Sequence, residues 1–375
     1  MHNLIIQAFF SVRKLHKRES EKHFIEINKL SSGEKQKAII DIAYALLTKY
    51  RNNGESLIIA IDEPESSLHM SACFEQFSAL AELSSNCRQL LFTSHWYGFL
   101  PVLENGTVTI INREDSEHKF DLINLCSYRE EIKQLVSHTK GCVPYDIRIK
   151  SINDLIQSII SSATGEKPFN WILCEGMSEK IYLSHYYKKL INDNRLRIVP
   201  VGGAKEIKRI YEQLVACHSD VENELTGTIY LLSDTDNELV RYSTRRLKNL
   251  HCKRIVYFPC KVKTCLVNID SNPISPATEI ENALNGLAYH HTLLTFISDY
   301  PEIEFINKSS TGDKFVESSH YFDLKDSEKG FLADFFDKDN NKFRFAKKYI
   351  EILESENYST PEWIDEIENI FINNV

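Results

Sequence analysis

The chain has 375 residues, 42% of them apolar and 26% charged, with 53 Asp and Glu against 44 Lys and Arg for a net charge of −9. That length exceeds what one hydrophobic core usually supports, so more than one domain is expected, and no apolar run reaches the roughly 18 residues of a membrane span. The acidic balance argues against a chain that coats nucleic acid by bulk electrostatics, and MHNLIIQAFFSVRK at the start lacks the flanks of a secretory signal, so a cytoplasmic, non-membrane protein is expected.

In chain order, LSSGEKQ opens a helix. Ala38, Ile39, Ile42, Ala43, Leu46, Leu47 and Tyr50 recur at helical spacing behind it, and Ser31 or Ser32 is placed to cap its start. SLIIAID then reads as a buried strand, SACFEQFSALAEL as a helix and RQLLFTSH as a second buried strand, which is a strand–helix–strand unit of a parallel sheet. From about Glu114 to Lys167 the pattern is less regular, with one helix at SINDLIQSIISS and a break at ATGEKP. Beyond it, strands WILCE, RIVPV, GTIYLLSD and RIVYFP alternate with helices SEKIYLSHYYKKLI, AKEIKRIYEQLVAC and ELVRYSTRRLKNL, a compact Rossmann-like α/β pattern. The remainder, from Cys260 onward, reads as mostly helical with turns. The nine cysteines lie singly, with no zinc spacing, and are expected to be buried, reduced thiols.

Chemistry is concentrated at strand ends. In the first half, Ser32, Gly33 and Glu34 begin a helix whose free amides and dipole favour an anion such as a γ-phosphate. Asp62 and Glu63 end the first strand, suited to a Mg²⁺ shell and to orienting the attacking water, and His95 ends the second, where it would sense the γ-phosphate. Alone, each is as readily a cap or a structural residue. In this order they resemble the signature, Walker B, D-loop (Ser66 to His69) and switch His of ABC-type ATPases. DEPESSLH looks most like the branch that includes DNA-repair ATPases and the overcoming-lysogenization-defect (OLD) nucleases. The resemblance covers about Ile25 to Asn112. No GxxxxGK[ST] phosphate loop occurs in the 375 residues, and no glycine precedes Lys29. The reading at this point is a fragment, a misplaced start, or a separate polypeptide that supplies the loop.

In the second half, Glu175 ends one strand with Gly176 and, a turn on, Glu179 behind it, while Asp234 and Asp236 end another. The carboxyl ends of strands in an open parallel sheet form the ligand crevice, and acids that converge there are usually reconciled by Mg²⁺ or Mn²⁺. A lone acid reads equally as a strand-end residue or, for Asp236, as a cap of the next helix; the matched Glu-Gly and Asp-x-Asp steps favour the metal site. The pattern resembles the Toprim domain of topoisomerases, primases and OLD-family nucleases over about Phe169 to Pro259, and that resemblance implies Glu175, Asp234 and Asp236 as an acidic triad. It further implies roles for Glu279 and Glu281 of PATEIENAL, one at a second metal and one facing solvent, and for Lys342 near the scissile phosphate. The basic row Arg241, Arg245, Arg246, Lys248, Lys253, Arg254, Lys261 and Lys263 is either a DNA-backbone contact, centred on Arg245 and Arg246, or a solvated helix face.

The fold expected is α/β: a partial ABC-type ATPase lobe over 1–113, a connection over 114–167, a Toprim parallel sheet over 168–260, and a helical region over 261–375 that completes the nuclease. The activity implied is metal-dependent DNA endonuclease regulated by ATP, in anti-phage defence or DNA processing, acting as a homodimer or higher oligomer. The alternative is a non-cleaving regulatory ATPase subunit or an inactive truncated product.

Overall fold

A computed structural model describes residues 14–18, 24–49, 56–100, 103, 106–114, 117–125, 145–165, 167–236, 239–308, 310, 312–313, 315–338 and 340–373. The chain divides into two units, Met1–Ser161 and Ser162–Val375.

In the first unit, β1 (His16–Arg18) and β2 (Phe24–Glu26) pair antiparallel and lead to α1 (Ser32–Lys49). Ser31 rather than Ser32 caps α1: its hydroxyl accepts from the Glu34 amide at 3.4 Å while Glu34 Oε2 accepts from the Ser31 amide at 3.2 Å. This reciprocal box satisfies donors that the first helical turn leaves free. Next come β3 (Ile58–Ile61), α2 (Met70–Ser84) and β4 (Gln89–Phe92), with β3 and β4 parallel from Ile58 opposite Gln89 to Ile61 opposite Phe92. The strand–helix–strand order holds, but the strands are not buried as expected: exposed and half-buried residues alternate along both. Phe77 of α2 anchors the small core, stacked on Phe99 at 5.0 Å and against Trp96 at 4.8 Å and Phe92 at 5.3 Å. A parallel pair is normally covered on both faces, yet Ile58 is 57% and Leu91 50% exposed. The hairpin of β5 (Thr107–Glu114) and β6 (Glu117–Asn124) comes next, with β6 inside the stretch whose pattern is less regular, and α3 (Tyr145–Ala163) follows.

The second unit is built on a five-stranded sheet in the order β11-β10-β9-β7-β8, where β7 is Asn170–Cys174, β8 Leu196–Pro200, β9 Ile229–Ser233, β10 Leu250–Phe258 and β11 Lys263–Asn268. The first four strands are parallel and β11 runs antiparallel at the edge. Every residue of β9 is buried, as expected of a central parallel strand. Between β7 and β8 lie α4 (Met177–Tyr186) and α5 (Lys188–Asp193), and between β8 and β9 lies α6 (Ala204–Val221), whose Ile207, Ile210, Tyr211 and Leu214 are buried. Of the last helices, α7 (Gly286–Leu294), α8 (Ser318–Tyr321), α9 (Asp326–Asp337), α10 (Asn341–Ser355) and α11 (Glu362–Asn373), all but the short α8 share one core with the sheet. In that core Ile172 and Tyr230 of the strands meet Tyr182 of α4, Phe345 and Tyr349 of α10 and Trp363 of α11.

Two elements differ from the sequence pattern. The helix expected over ELVRYSTRRLKNL is absent: residues 239–246 run without regular structure between β9 and β10. Tertiary bonds hold this segment open, since the Arg245 amide donates to Tyr211 Oη at 2.8 Å and Tyr242 Oη lies 3.3 Å from Cys252 Sγ. With no helix over 239–246, the reading of Asp236 as a helix cap lapses. β11 falls in the region read as helical, where KTCLVN is too short to show a strand period and is held as an edge by β10. Cys73, Cys174 and Cys252 are buried thiols as expected, but Cys260 is exposed because it sits in the turn after β10.

Candidate functional site

In the second unit, Glu175 follows the last residue of β7 and Asp234 the last residue of β9, adjacent strands whose carboxyl ends open on the same side. The Asp234 amide donates to Glu175 Oε1 at 3.0 Å. The Glu175 carbonyl in turn accepts from Gly202 and Gly203 at 2.7 and 3.1 Å, which seats the start of α6 beside it. Space at Gly176 is tight: a Cβ there would stand 2.7 Å from Oε2 of the Glu179 side chain. Glu179, in the first turn of α4, is buried.

The second acidic step arrives through a two-way bridge between Thr235 and Thr278, whose amides donate to each other's carbonyls at 2.9 and 2.8 Å. Glu279 then caps the 3₁₀ turn Ile280–Ala283, with its amide bonded to Asn282 Oδ1 at 2.8 Å. Lys342 at the start of α10 donates to Glu279 Oε2 at 2.6 Å. Glu281 is buried, with Tyr182 Oη at 3.5 Å. Of the two acids, Glu281 is buried, while the Glu279 side chain is 46% exposed and held by Lys342.

The electrostatics follow from crowding. Burial, then the charges of Glu179 and Asp236, push Glu175 up to about 7, against the stabilising amides of Asp234 and Ala204. Burial, then Glu179 and Glu175, hold Asp234 well above the carboxylate range. Glu179 is raised by burial, and Asp236 by burial and then Glu279. Burial raises Glu281 to about 7 in spite of Lys342. Lys342 goes the other way: burial alone would lower it, but Glu281 and Glu279 raise it. Six carboxyl groups and one ammonium thus sense one another. This all-oxygen donor set suits a hard divalent cation, although among the described residues no three His, Cys, Asp or Glu are already drawn together as a finished ligand set.

In the first unit, Asp62 and Glu63 follow β3 and His95 follows β4. Thr93 Oγ1 donates to an Asp62 carboxylate oxygen and accepts from the Glu63 amide at 3.1 Å. His95 Nε2 lies 3.1 Å from Glu63 Oε1, with the His95 side chain 80% exposed. Ser32 is exposed, but Gly33 is buried: a Cβ there would stand 2.5 Å from the Ser67 carbonyl, so its smallness serves the loop Ser66–His69. Glu34 is held by Lys17 at 2.9 Å and by Ser31, which lower its pKa to about 2. Sequence reasoning missed Glu65. Its Oε1 accepts from Ser94 Oγ at 2.8 Å and from the amides of His95 and Trp96 at 2.6 and 3.3 Å, so it shapes the turn that carries His95.

The basic row is narrower than its sequence suggests. Arg254 is fully buried, Lys253 bonds Asn268, and Lys263 pairs with Glu362, whereas Arg241, Arg245, Arg246 and Lys248 are exposed.

Comparison with known families agrees with this geometry at both ends. Residues 7–100 match an AAA domain whose description also names the AbiEii toxin and a Type IV TA system. Residues 170–236, which contain Glu175, Glu179, Asp234 and Asp236, match the Toprim domain of overcoming-lysogenization-defect-like proteins. Together the two matches are similar to an ATPase–Toprim architecture of OLD-family type. The second unit therefore carries an OLD-like Toprim domain, with its Glu-Gly step after β7 and its Asp-Thr-Asp step after β9. No curated protein gives a significant match. No helix among the described residues is long and apolar enough to cross a membrane.

Proposed function

We propose that this ATPase–Toprim protein is a DNA endonuclease dependent on Mg²⁺ or Mn²⁺ and regulated by ATP. The observation that carries the reading is the crowd of buried carboxyls at the strand ends of an OLD-like Toprim domain, held above their ordinary pKa with Lys342, among the described residues, as the cation beside them. A bound divalent cation would supply the charge that stabilises both the attacking and the departing oxygen of a phosphodiester. Glu175, Asp234 and Asp236 would hold it, with Glu179 behind them, and Glu279 or Glu281 would serve a second ion. Lys342, released from Glu279 as that acid takes up metal, would face the scissile phosphate. Arg245 and Arg246 lie exposed on the segment just past Asp236, unpaired with any carboxylate among the described residues, and would grip the DNA backbone without reading sequence. A place in anti-phage defence or DNA processing in the cytoplasm follows from the family resemblance.

For the first unit, Asp62 would complete a Mg²⁺ shell, Glu63 orient water and His95 sense the γ-phosphate. The exposed start of α1 at Ser32 would serve the nucleotide of a second copy, in a homodimer or higher oligomer. The sequence contains no GxxxxGK[ST], and a separate polypeptide would supply the phosphate loop. The exposed Ile58 and Leu91 faces of a parallel pair support a further covering element.

The test is nicking or linearisation of supercoiled plasmid with Mg²⁺ or Mn²⁺. Glu175→Ala and Asp234→Ala are each expected to lower the rate by at least about 100-fold; undiminished cleavage by both variants would overturn the site.

A further inference from the structure

Arg254 is the one fully buried Lys or Arg among the described residues, in the middle of the sheet at β10, opposite Ser233 of β9 and Val267 of β11. No carboxylate among the described residues pairs with it. A buried guanidinium without a counter-ion is costly unless its donors are all engaged. Here four of its five N–H donors are engaged, on two segments of the chain. Nε donates to the Ile269 carbonyl at 3.3 Å, Nη2 to the carbonyls of Ser271 and Pro273 at 2.5 and 2.8 Å, and Nη1 to Thr235 Oγ1 at 2.8 Å. The Thr235 hydroxyl in turn donates to the Ile255 carbonyl.

Thr235 is the middle residue of Asp234-Thr235-Asp236. In extended backbone, neighbours alternate in direction, so a threonine drawn inward to Arg254 turns the flanking aspartates together toward the opposite side. The same threonine carries the bridge to Thr278, the residue before Glu279. Thr278 Oγ1 accepts from the Tyr257 amide at 2.9 Å and donates to the Pro276 carbonyl at 3.1 Å. Arg254 therefore grips both strands of the junction: the Asp-x-Asp step through Thr235, and the run into Glu279 and Glu281 through the carbonyls of 269, 271 and 273. A lysine, with a point charge and no planar fork, cannot engage these acceptors together.

We propose that Arg254 is a positioning residue of the Toprim centre, which through Thr235 sets the spacing of Asp234 and Asp236 against Glu279 and Glu281 and thereby the affinity for the divalent cation. This rests on the metal-site reading above, and the experiment separates the two. Thr235→Val, Arg254→Lys and Arg254→Met are made in the full chain, and Thr235→Val keeps the proposal testable if the arginine variants fail to fold. Folding is followed by thermal unfolding in EDTA, and Mn²⁺ binding without DNA by loss of the free-ion electron paramagnetic resonance signal. Plasmid cleavage is titrated with Mn²⁺. Thr235→Val and any folded Arg254 variant are expected to bind Mn²⁺ about 10-fold or more weakly and to need correspondingly more Mn²⁺ for half-maximal cleavage, with much of the activity regained at saturating metal. Folded variants with unchanged Mn²⁺ affinity overturn the proposal. If the wild type binds Mn²⁺ but never cleaves, the nuclease reading fails while the binding series still decides the role of Arg254. A wild type that binds no Mn²⁺ overturns both.

Discussion

The amide of Asp234 donates to the carboxylate of Glu175 at 3.0 Å, so one acid of the cluster is fixed by the backbone of the next. The bond stabilises a charged Glu175, yet burial and the neighbouring acids outweigh it and leave the group at about 7. Between its ordinary 4.5 and about 7 the native chain without metal holds a proton that the unfolded chain releases. The contribution to stability is therefore complete below about 4.5 and is lost as pH rises through about 7. In EDTA, Glu175→Gln is expected to lose part of the fall in melting temperature between pH 5 and 8, and to melt above the wild type at pH 8. Equal pH slopes in the two proteins would contradict the assignment. Added Mg²⁺ is expected to raise the melting temperature of the wild type at pH 8 and to do so less for the variant.

Gly176→Ala probes the packing behind that acid. Gly176 has an ordinary extended backbone at φ −136°, so the alanine suffers from contact and not from strain. Its Cβ would stand 2.7 Å from Glu179 Oε2. A loss of about 1–3 kcal/mol is expected from such overpacking. Because the obstacle is a side chain, Glu179→Ala in the same molecule is expected to recover most of it, and a double-mutant cycle by chemical denaturation measures the coupling.

Glu317 offers a pH effect away from the acidic cluster. It is buried, its Oε2 accepts from the Thr264 amide at 2.7 Å and from the Thr264 hydroxyl, and burial lifts it to about 7 against these bonds, with Glu362 raising and Lys263 lowering it. Native protonation again makes stability greatest below about 4.5 and smaller as pH rises through about 7. Glu317→Gln keeps an acceptor oxygen for Thr264 and needs no proton. At pH 8 it is expected to be more stable than the wild type by up to about 3 kcal/mol, and at pH 4.5 about equal. Melting curves at the two pH values check this, and a variant less stable at pH 8 would refute it.

What could be read from the sequence and what could not divide along physical lines. The acids of Glu175, Asp234 and Asp236 stood at the ends of long apolar strands, and strand ends are set by the hydrophobic run itself. The helix expected after Asp236 failed because Tyr211, remote in sequence, captures the Arg245 amide, and no local pattern encodes that partner. Arg254 sat in a basic row and read as surface, since a buried guanidinium satisfied by carbonyls looks like any other arginine in a string of letters. Glu65 stood in plain view as the last acid of Asp62-Glu63-Pro64-Glu65, but its role needs the return of β4 beside β3.

That return supplies the last prediction. Glu65 Oε1 accepts from one hydroxyl and two amides of the turn Ser94–Trp96, while the Lys150 ammonium donates to the His95 carbonyl at 2.9 Å and Asp154 accepts from the Tyr97 amide at 3.0 Å. The turn that carries His95 is thus held from the segment after β3 by one carboxylate and from α3 by two side chains. Removing the carboxylate leaves the His95 amide without an acceptor, while the Trp96 amide keeps Ser94 Oγ at 3.0 Å, so Glu65→Ala is expected to cost about 2 kcal/mol locally. The amide of His95 should then exchange hydrogen at least about 10-fold faster, with the amides of Trp96, bonded to Ser94, and Tyr97, bonded to Asp154, less affected. Glu65→Gln retains an acceptor oxygen and should fall between the wild type and the alanine variant. An exchange rate at His95 unchanged in Glu65→Ala would show that α3 alone fixes the turn.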